Sequence, residues 1–199
     1  YATLNVTDID LLEVAAQRAR QTLDKFIPGG LSGMLWGFAT LQFKDPDLML
    51  AAAEKVLAGV QEYSTQDVSN ILWSFATLEL YHPELFEALG NVAAERTDRF
   101  DQQSLDMVVW AFASQKVQNP KLMKAVSEHV KAHQELLRPQ SISILAWACG
   151  VLKHRDEELM KILSSLALPM LEHFKPKELV ILARGFNLLG IRDEPLLSR

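Results

Sequence analysis

The chain has 199 residues, of which 49% are hydrophobic and 23% are charged, and its formal net charge is −5. This composition supplies enough apolar residues to bury a continuous core. No apolar run reaches the ~20 residues that a membrane-spanning helix needs. The charge is uneven, because residues 1–100 carry 7 Lys or Arg against 14 Asp or Glu, whereas residues 101–199 carry 13 against 11.

Tryptophan recurs at a constant interval of 37 residues, and one further step reaches an arginine in an otherwise similar segment. Six leucines follow the same interval. A fixed period of roughly 20–50 residues predicts a solenoid-type repeat array. The first series is Trp36, Trp73, Trp110, Trp147 and then Arg184, and the second is Leu11, Leu48, Leu85, Leu122, Leu159 and Leu196.

Each repeat contains two helices, which we name helix A, around the Trp, and helix B, around the Leu. Proline and capping residues mark the start of both, since proline suits the first helical turn and short polar side chains suit the N-cap. We therefore predict an all-α protein, a right-handed α-solenoid of helix–turn–helix repeats. Helices A are predicted to start near Pro28, Thr65, Gln102, Pro139 and Pro176, and helices B just after Asp45, His82, Asn119, Asp156 and Asp193.

The whole chain is expected to form one repeat array, with a partial unit at each end. Tyr1–Leu4 matches the end of a helix A, as in Phe38–Leu41, and the final residues resemble the first turn of a helix B. We therefore expect both ends to be cut within a repeat. The predicted units are 1–25 (partial), 26–62, 63–99, 100–136, 137–173 and 174–199 (partial).

The positions seven and four residues before the Trp lie on the same side of helix A as the Trp itself. Because they are polar in successive repeats, they predict a binding surface built by stacking, although polar positions are also typical of a solvated face. Lys177 would add a cation in the first helical turn, where free N–H groups favour phosphate, and Arg184 stands in the Trp position. The other candidates are Gln66, Ser69, Gln103, Asp106, Gln140 and Ser143.

The segments Ile71–Leu78 and Phe174–Leu179 resemble octotricopeptide and heptatricopeptide repeats, which are often followed by a RAP domain. The 37-residue period is closer to the heptatricopeptide type. This resemblance implies a mitochondrial or plastid protein that binds single-stranded RNA and acts in transcript stabilisation, processing or translation, or in rRNA organisation. By analogy with other helical-repeat readers, we expect about one base per repeat, contacted from helix A.

The alternative function is a protein–protein scaffold in a large organellar assembly, such as a mitochondrial ribosome. The acidic first half favours it, since Lys and Arg supply most non-specific affinity for RNA. RNA is therefore expected to favour the second half. Within that half, Lys121, Lys124 and Lys131 follow one side of a helix B and are expected to lie on the outer, solvated face.

The recurring aromatic and leucine residues are expected to form the structural core, namely Trp36, Trp73, Trp110 and Trp147 with Leu48, Leu85, Leu122 and Leu159. Base stacking on the tryptophans is the alternative. The lone Cys149 occupies a position held by Phe in other repeats and is expected in the core. His129 and His133 lack the Glu of a zinc-protease motif. We expect no enzymatic activity from this chain, no cofactor and no metal site.

Overall fold

The computed structural model describes residues 8–191, which form ten α-helices with short 3-10 turns and no β-strand. The predicted all-α repeat fold is confirmed. None of the described helices is long and apolar enough to cross a bilayer. Helices B are α1 Ile9–Gln21, α3 Pro46–Ala58, α5 Pro83–Glu95, α7 Pro120–Ala132 and α9 Glu157–Ala167; helices A are α2 Pro28–Thr40, α4 Thr65–Thr77, α6 Gln102–Gln115, α8 Pro139–Val151 and α10 Pro176–Leu188.

Every described helix B begins with the same capping hydrogen bond. The side chain of the N-cap residue accepts from the backbone N–H three residues later, over 2.9–3.3 Å. Such a cap contributes about 1 kcal/mol of helix stability. The helix starts predicted within residues 8–191 are all observed, because local capping chemistry fixes them. The N-caps are Asp8, Asp45, His82, Asn119 and Asp156.

The turn that joins helix A to helix B has one backbone form throughout the array. One residue per repeat has a φ of 54–66°, in the left-handed region. The N–H of the next residue then bonds to a carbonyl in the last turn of helix A, as from Phe43 to Phe38 over 2.9 Å. This is the Schellman arrangement that ends a helix. The left-handed residues are Gln42, Glu79, Lys116, Lys153 and Gly190.

Helices A stack on one another to form one layer, and helices B form a second, more loosely associated layer. The closest approach is between α8 and α10. A Cβ atom on Gly185 would lie 2.4 Å from the carbonyl carbon and oxygen of Ala146, so this position requires glycine. The repeated leucines of α3, α5, α7 and α9 are fully buried, namely Leu48, Leu85, Leu122 and Leu159, whereas Leu11 of α1 is exposed.

The predictions for the chain ends, including the helix A match of Tyr1–Leu4 and the helix B start after Asp193, lie outside the described residues. The unit boundaries stay a prediction as well.

Candidate functional site

A groove of about 1190 Å³ runs across the N-terminal halves of helices A in the second half of the array. It exceeds the roughly 300–1,000 Å³ typical of a small-molecule pocket. It crosses α6, α8 and α10 and reaches Trp73 of α4, so it is long enough to hold a segment of a polymer. The lining includes Trp73, Met107, Trp110, Ile144 and Ile181, which we name the floor, and Gln103, Arg138, Gln140, Lys175, Lys177 and Glu178, which we name the rim.

The floor of the groove is apolar because of one repeat position, three residues before the Trp. Met107, Ile144 and Ile181 occupy this position in α6, α8 and α10, and each is half-buried. Gly33 and Asn70 stand there in α2 and α4. Apolar residues at this position are therefore confined to α6, α8 and α10, where they lie next to the half-buried ring of Trp110.

Two of the predicted glutamines are free at the rim. Gln103 and Gln140 are exposed, and neither forms a hydrogen bond to another described residue. Gln66 occupies the same repeat position but is held in place. Its Nε2 donates to Asn70 over 3.0 Å, and its Oε1 accepts from the Ser104 hydroxyl at 3.3 Å. The amides of Gln103 and Gln140 are thus available to a ligand.

The side chains four residues before the Trp lie between adjacent helices A. Ser69, Asp106 and Ser143 are at most 7% exposed. The hydroxyl of Ser69 donates to the carbonyl oxygen of Ser104 over 3.0 Å, and Ser141 donates to the Asp106 carboxylate over 2.6 Å. This differs from the surface expected for these positions, because the first turn of the next helix A covers them.

The serine four residues before the Trp also lies at the first and last junctions between helices A, but only the first of these two serines has a hydrogen-bond partner within residues 8–191. At the first, the hydroxyl of Ser32 donates to the Asp67 carboxylate. At the last, between α8 and α10, the buried Ser143 hydroxyl has no hydrogen-bond partner among the described residues. Glu178, which stands where Asp67 stands in α4, accepts from the Lys175 N–H over 2.8 Å.

The buried carboxylate of Asp106 has an unusual environment. Burial raises the pKa of Asp106 to about 6, while hydrogen bonds from Ser141 and Gln102 lower it and the nearby Asp101 raises it. The Nε2 of Gln102 lies 2.8 Å from Asp106. Burial prevails because the two hydrogen bonds only partly replace the lost water.

The tryptophans are half-buried rather than fully enclosed. The Trp36 and Trp73 rings pack against each other, with centroids 6.5 Å apart. Trp73 and Trp110 expose part of their rings to the groove. The structure thus gives the Trp position both packing contacts and an accessible ring edge. Arg184, in the same position on α10, is exposed but does not line the groove.

The cations of the second half occupy two different surfaces. On helix α7, Lys121 is 2.7 Å from Glu95 and Lys131 is 2.9 Å from Asp156, so these lysines are paired on the helix B side. Arg138, Lys175 and Lys177 instead line the groove. Of these three cations, only Lys177 was predicted as a site residue from the sequence. Arg138 and Lys175 are the N-cap residues of α8 and α10, and a basic residue at this position of helix A is the signal that would have identified them.

The remaining candidates for chemistry lie away from the groove. Cys149 is fully buried, and burial raises the pKa of its thiol to about 12. The His129 and His133 rings stack with centroids 4.5 Å apart, and His129 lies 3.1 Å from Asp98. Within residues 8–191, no group of three or more His, Cys, Asp or Glu residues is placed to hold a metal ion.

Comparison with known families adds an independent observation. The family model described as RNA-editing substrate-binding complex 6 protein matches residues 1–155. The chain belongs to this family. The match includes α1 to α8 and therefore Gln103, Trp110 and Gln140. No curated protein matches the chain. Membership supports an RNA-associated helical protein, whereas the narrower octotricopeptide or heptatricopeptide assignment stays a prediction.

Proposed function

We propose that this chain binds single-stranded RNA in the groove across α6, α8 and α10, with about one base per repeat. The observation that carries this proposal is the groove itself, whose apolar floor is flanked by free amides and by three cations. Such a combination of stacking surface, edge donors and acceptors, and positive charge is what single-stranded nucleic acid requires. We further propose that the chain is a binding module and not an enzyme.

The chemistry of each base contact follows from the floor and the rim. An unstacked base would lie on the exposed part of Trp110 and on Met107 or Ile144. The amides of Gln103 and Gln140 would bind its edge, since an amide offers both donors and an acceptor. A base in duplex RNA is stacked and paired, so the groove would favour single strands.

The setting that we propose is an organellar assembly, in a mitochondrion or plastid. The family description refers to an RNA-editing substrate-binding complex, which supports RNA and protein partners for this chain. Within such an assembly the chain would present a transcript for editing or another processing step, or take part in its stabilisation, translation or rRNA organisation.

A protein–protein scaffold is the second candidate, favoured by the charge of the first half. Residues 1–100 carry a net charge of −7, and the apolar floor does not extend to α2. This part of the array would repel RNA and is suited to a basic protein surface. The two functions are compatible, because they use different parts of the array.

The direct test is fluorescence anisotropy with a labelled random 12-nucleotide RNA pool over a salt series, with a duplex of the same composition as the comparison. We expect single-strand binding that weakens steeply with salt. The variant Gln103→Glu/Gln140→Glu places two carboxylates in the groove and should abolish binding. Gln17→Glu/Gln118→Glu makes the same charge change at exposed sites outside the groove and should have little effect. Equal loss in both variants, or no binding at low salt, would contradict the proposal.

A further inference from the structure

We infer that the N-terminal ends of α8 and α10 form a phosphate-binding rim that holds backbone phosphates of the RNA strand. This inference rests on the proposed function and adds the location of the phosphates. It is carried by three observations on the same edge of the groove, which concern helix caps, unpaired cations and an unpartnered hydroxyl.

The N-cap residues of helices A change their chemistry along the array. In α4 the Ser64 hydroxyl accepts from the Asp67 N–H over 3.2 Å, and in α6 Asp101 accepts from the Ser104 N–H over 2.7 Å. The N-caps of α8 and α10 are basic residues, whose side chains cannot accept a hydrogen bond. Pro139 and Pro176 have no N–H, and the Glu178 N–H donates to the Lys175 carbonyl oxygen over 2.9 Å. The N–H groups of Gln140 and Ser141 in α8 and of Lys177 in α10 have no N-cap side-chain acceptor and can bind an anion.

Positive charge converges on the same edge. Arg138, Lys175 and Lys177 all line the groove, and within residues 8–191 none of them forms an ion pair. Two carboxylates lie nearby. Glu178 binds the Lys175 N–H, and Asp106 is buried between α6 and α8. Arg and Lys bind phosphate oxygens through charge-assisted hydrogen bonds, so three cations against two engaged carboxylates favour a phosphate here.

The third observation is a hydroxyl group without a partner at the junction of α8 and α10. Ser143 lines the groove and is 1% exposed, and its Oγ forms no hydrogen bond to a described residue. The equivalent Ser69 hydroxyl bonds to two carbonyl oxygens, at 2.9 and 3.0 Å. A buried hydroxyl is normally satisfied. A phosphate oxygen held by Lys175 and Lys177 would supply the missing acceptor.

The first arm of the test is the salt dependence of RNA binding. Each of Arg138→Gln, Lys175→Gln and Lys177→Gln should lower the slope of log affinity against log salt by about 0.7, the value for one lost phosphate contact on a single strand. Lys121→Gln and Lys124→Gln, on the outer side of α7, should leave the slope unchanged. If the rim variants bind RNA with the same slope of log affinity against log salt as the wild type, the phosphate-binding rim is refuted and the proposed function stands.

The second arm separates a ligand-binding role of Ser143 from a structural one. Ser143→Ala removes an unsatisfied hydroxyl, so the thermal midpoint should rise while RNA affinity falls. Ser69→Ala removes a satisfied hydroxyl and should lower the midpoint. A Ser143→Ala protein that is more stable but binds RNA with unchanged affinity would overturn the part of Ser143 in the site.

Inorganic phosphate is the probe that does not depend on RNA. At equal ionic strength, phosphate should raise the thermal midpoint above its value in chloride, and more so in the wild type than in the triple variant Arg138→Gln/Lys175→Gln/Lys177→Gln. Equal shifts in both proteins would indicate an adventitious ion only and overturn the site. If phosphate raises the thermal midpoint of the wild type alone and no RNA binds, the anion site is supported. RNA is then refuted as the molecule that supplies the phosphate.

Discussion

The hydroxyl of Ser141 donates a hydrogen bond of 2.6 Å to the buried carboxylate of Asp106, across the interface between α6 and α8. Asp106 stands four residues before the Trp of its repeat. Other repeats have the neutral residues Ser32, Ser69 and Ser143 at this position. The α6–α8 interface is therefore the one among these junctions where helix A contributes an ionisable side chain at this position.

Asp106→Asn should stabilise the protein at neutral pH. Burial raises the pKa of Asp106 to about 6 from its ordinary value of 3.8, so the folded state binds this proton more tightly than the unfolded state. The resulting stabilisation is present below pH 3.8 and is lost as the pH rises through about 6. The unfolding free energy of the variant should exceed that of the wild type by up to about 3 kcal/mol at pH 7.

Urea unfolding at a series of pH values measures this difference. His154, whose pKa is lowered chiefly by burial, is present in both proteins, so its opposite pH dependence cancels in the comparison. Asp106→Ser, which restores the residue found in other repeats, is the control and should show the same loss of pH dependence. If the difference in unfolding free energy between Asp106→Asn and the wild type is the same at pH 4 and pH 7, the raised pKa of Asp106 is contradicted.

Glycine is required at position 185 but not at the equivalent position 37. Gly185→Ala would place a Cβ 2.4 Å from the Ala146 backbone, and since backbone cannot move aside easily, we expect a loss of about 1–3 kcal/mol in unfolding free energy. Gly37→Ala meets no atom within 4 Å and should stabilise α2 by up to ~1 kcal/mol. Thermal unfolding of both variants tests this pair, and losses of equal size would refute the close approach of α8 and α10.

The free amides should determine base preference. Gln103→Ala and Gln140→Ala should each reduce affinity for the preferred sequence by roughly 2- to 10-fold, which corresponds to one lost hydrogen bond, and should broaden the set of RNAs recovered by selection from a random pool. Gln66→Ala is the matched control, because that side chain is already bound to Asn70 and Ser104. A control variant that changes the selected sequences as strongly would argue against base contacts at this rim.

Stacking on the groove floor should depend on Trp110. Trp110→Leu keeps an apolar side chain but removes the ring, so RNA affinity should fall by about 5- to 150-fold, equivalent to about 1–3 kcal/mol per stacked base. Trp36→Leu removes a ring that packs on Trp73 outside the groove floor and should affect stability without a comparable loss of affinity. Anisotropy titrations of both proteins, after circular dichroism has verified their folding, distinguish the two effects.

The helices could be predicted closely because their signals are local. Proline, Asp, Asn and Ser at helix starts act within three or four residues, as with Asp45 and the N–H of Leu48. The 37-residue period then aligned the repeats. The turn after helix A was not predicted, because Gln42, Glu79, Lys116 and Lys153 adopt a positive φ without glycine.

The site was predicted less well, because periodicity gives the face of a helix but not its neighbour. Ser69 and Ser143 lie on the Trp side of helix A, and yet the next helix A buries them. A pattern of small polar residues at two positions, such as Ser69 with Ser104, was the available signal of that contact. The groove also depends on Met107 and Arg138, whose positions change character along the array and so do not repeat.

Photo-crosslinking tests the central claim most directly. Single-stranded RNA that carries one 4-thiouridine would be bound, irradiated and digested, and the attached residues identified by mass spectrometry. Binding in the groove predicts crosslinks at Met107, Trp110 or Ile144, with a large loss of yield in Gln103→Glu/Gln140→Glu. Crosslinks confined to helices B, or a yield unchanged in that variant, would contradict RNA binding on the helix A face.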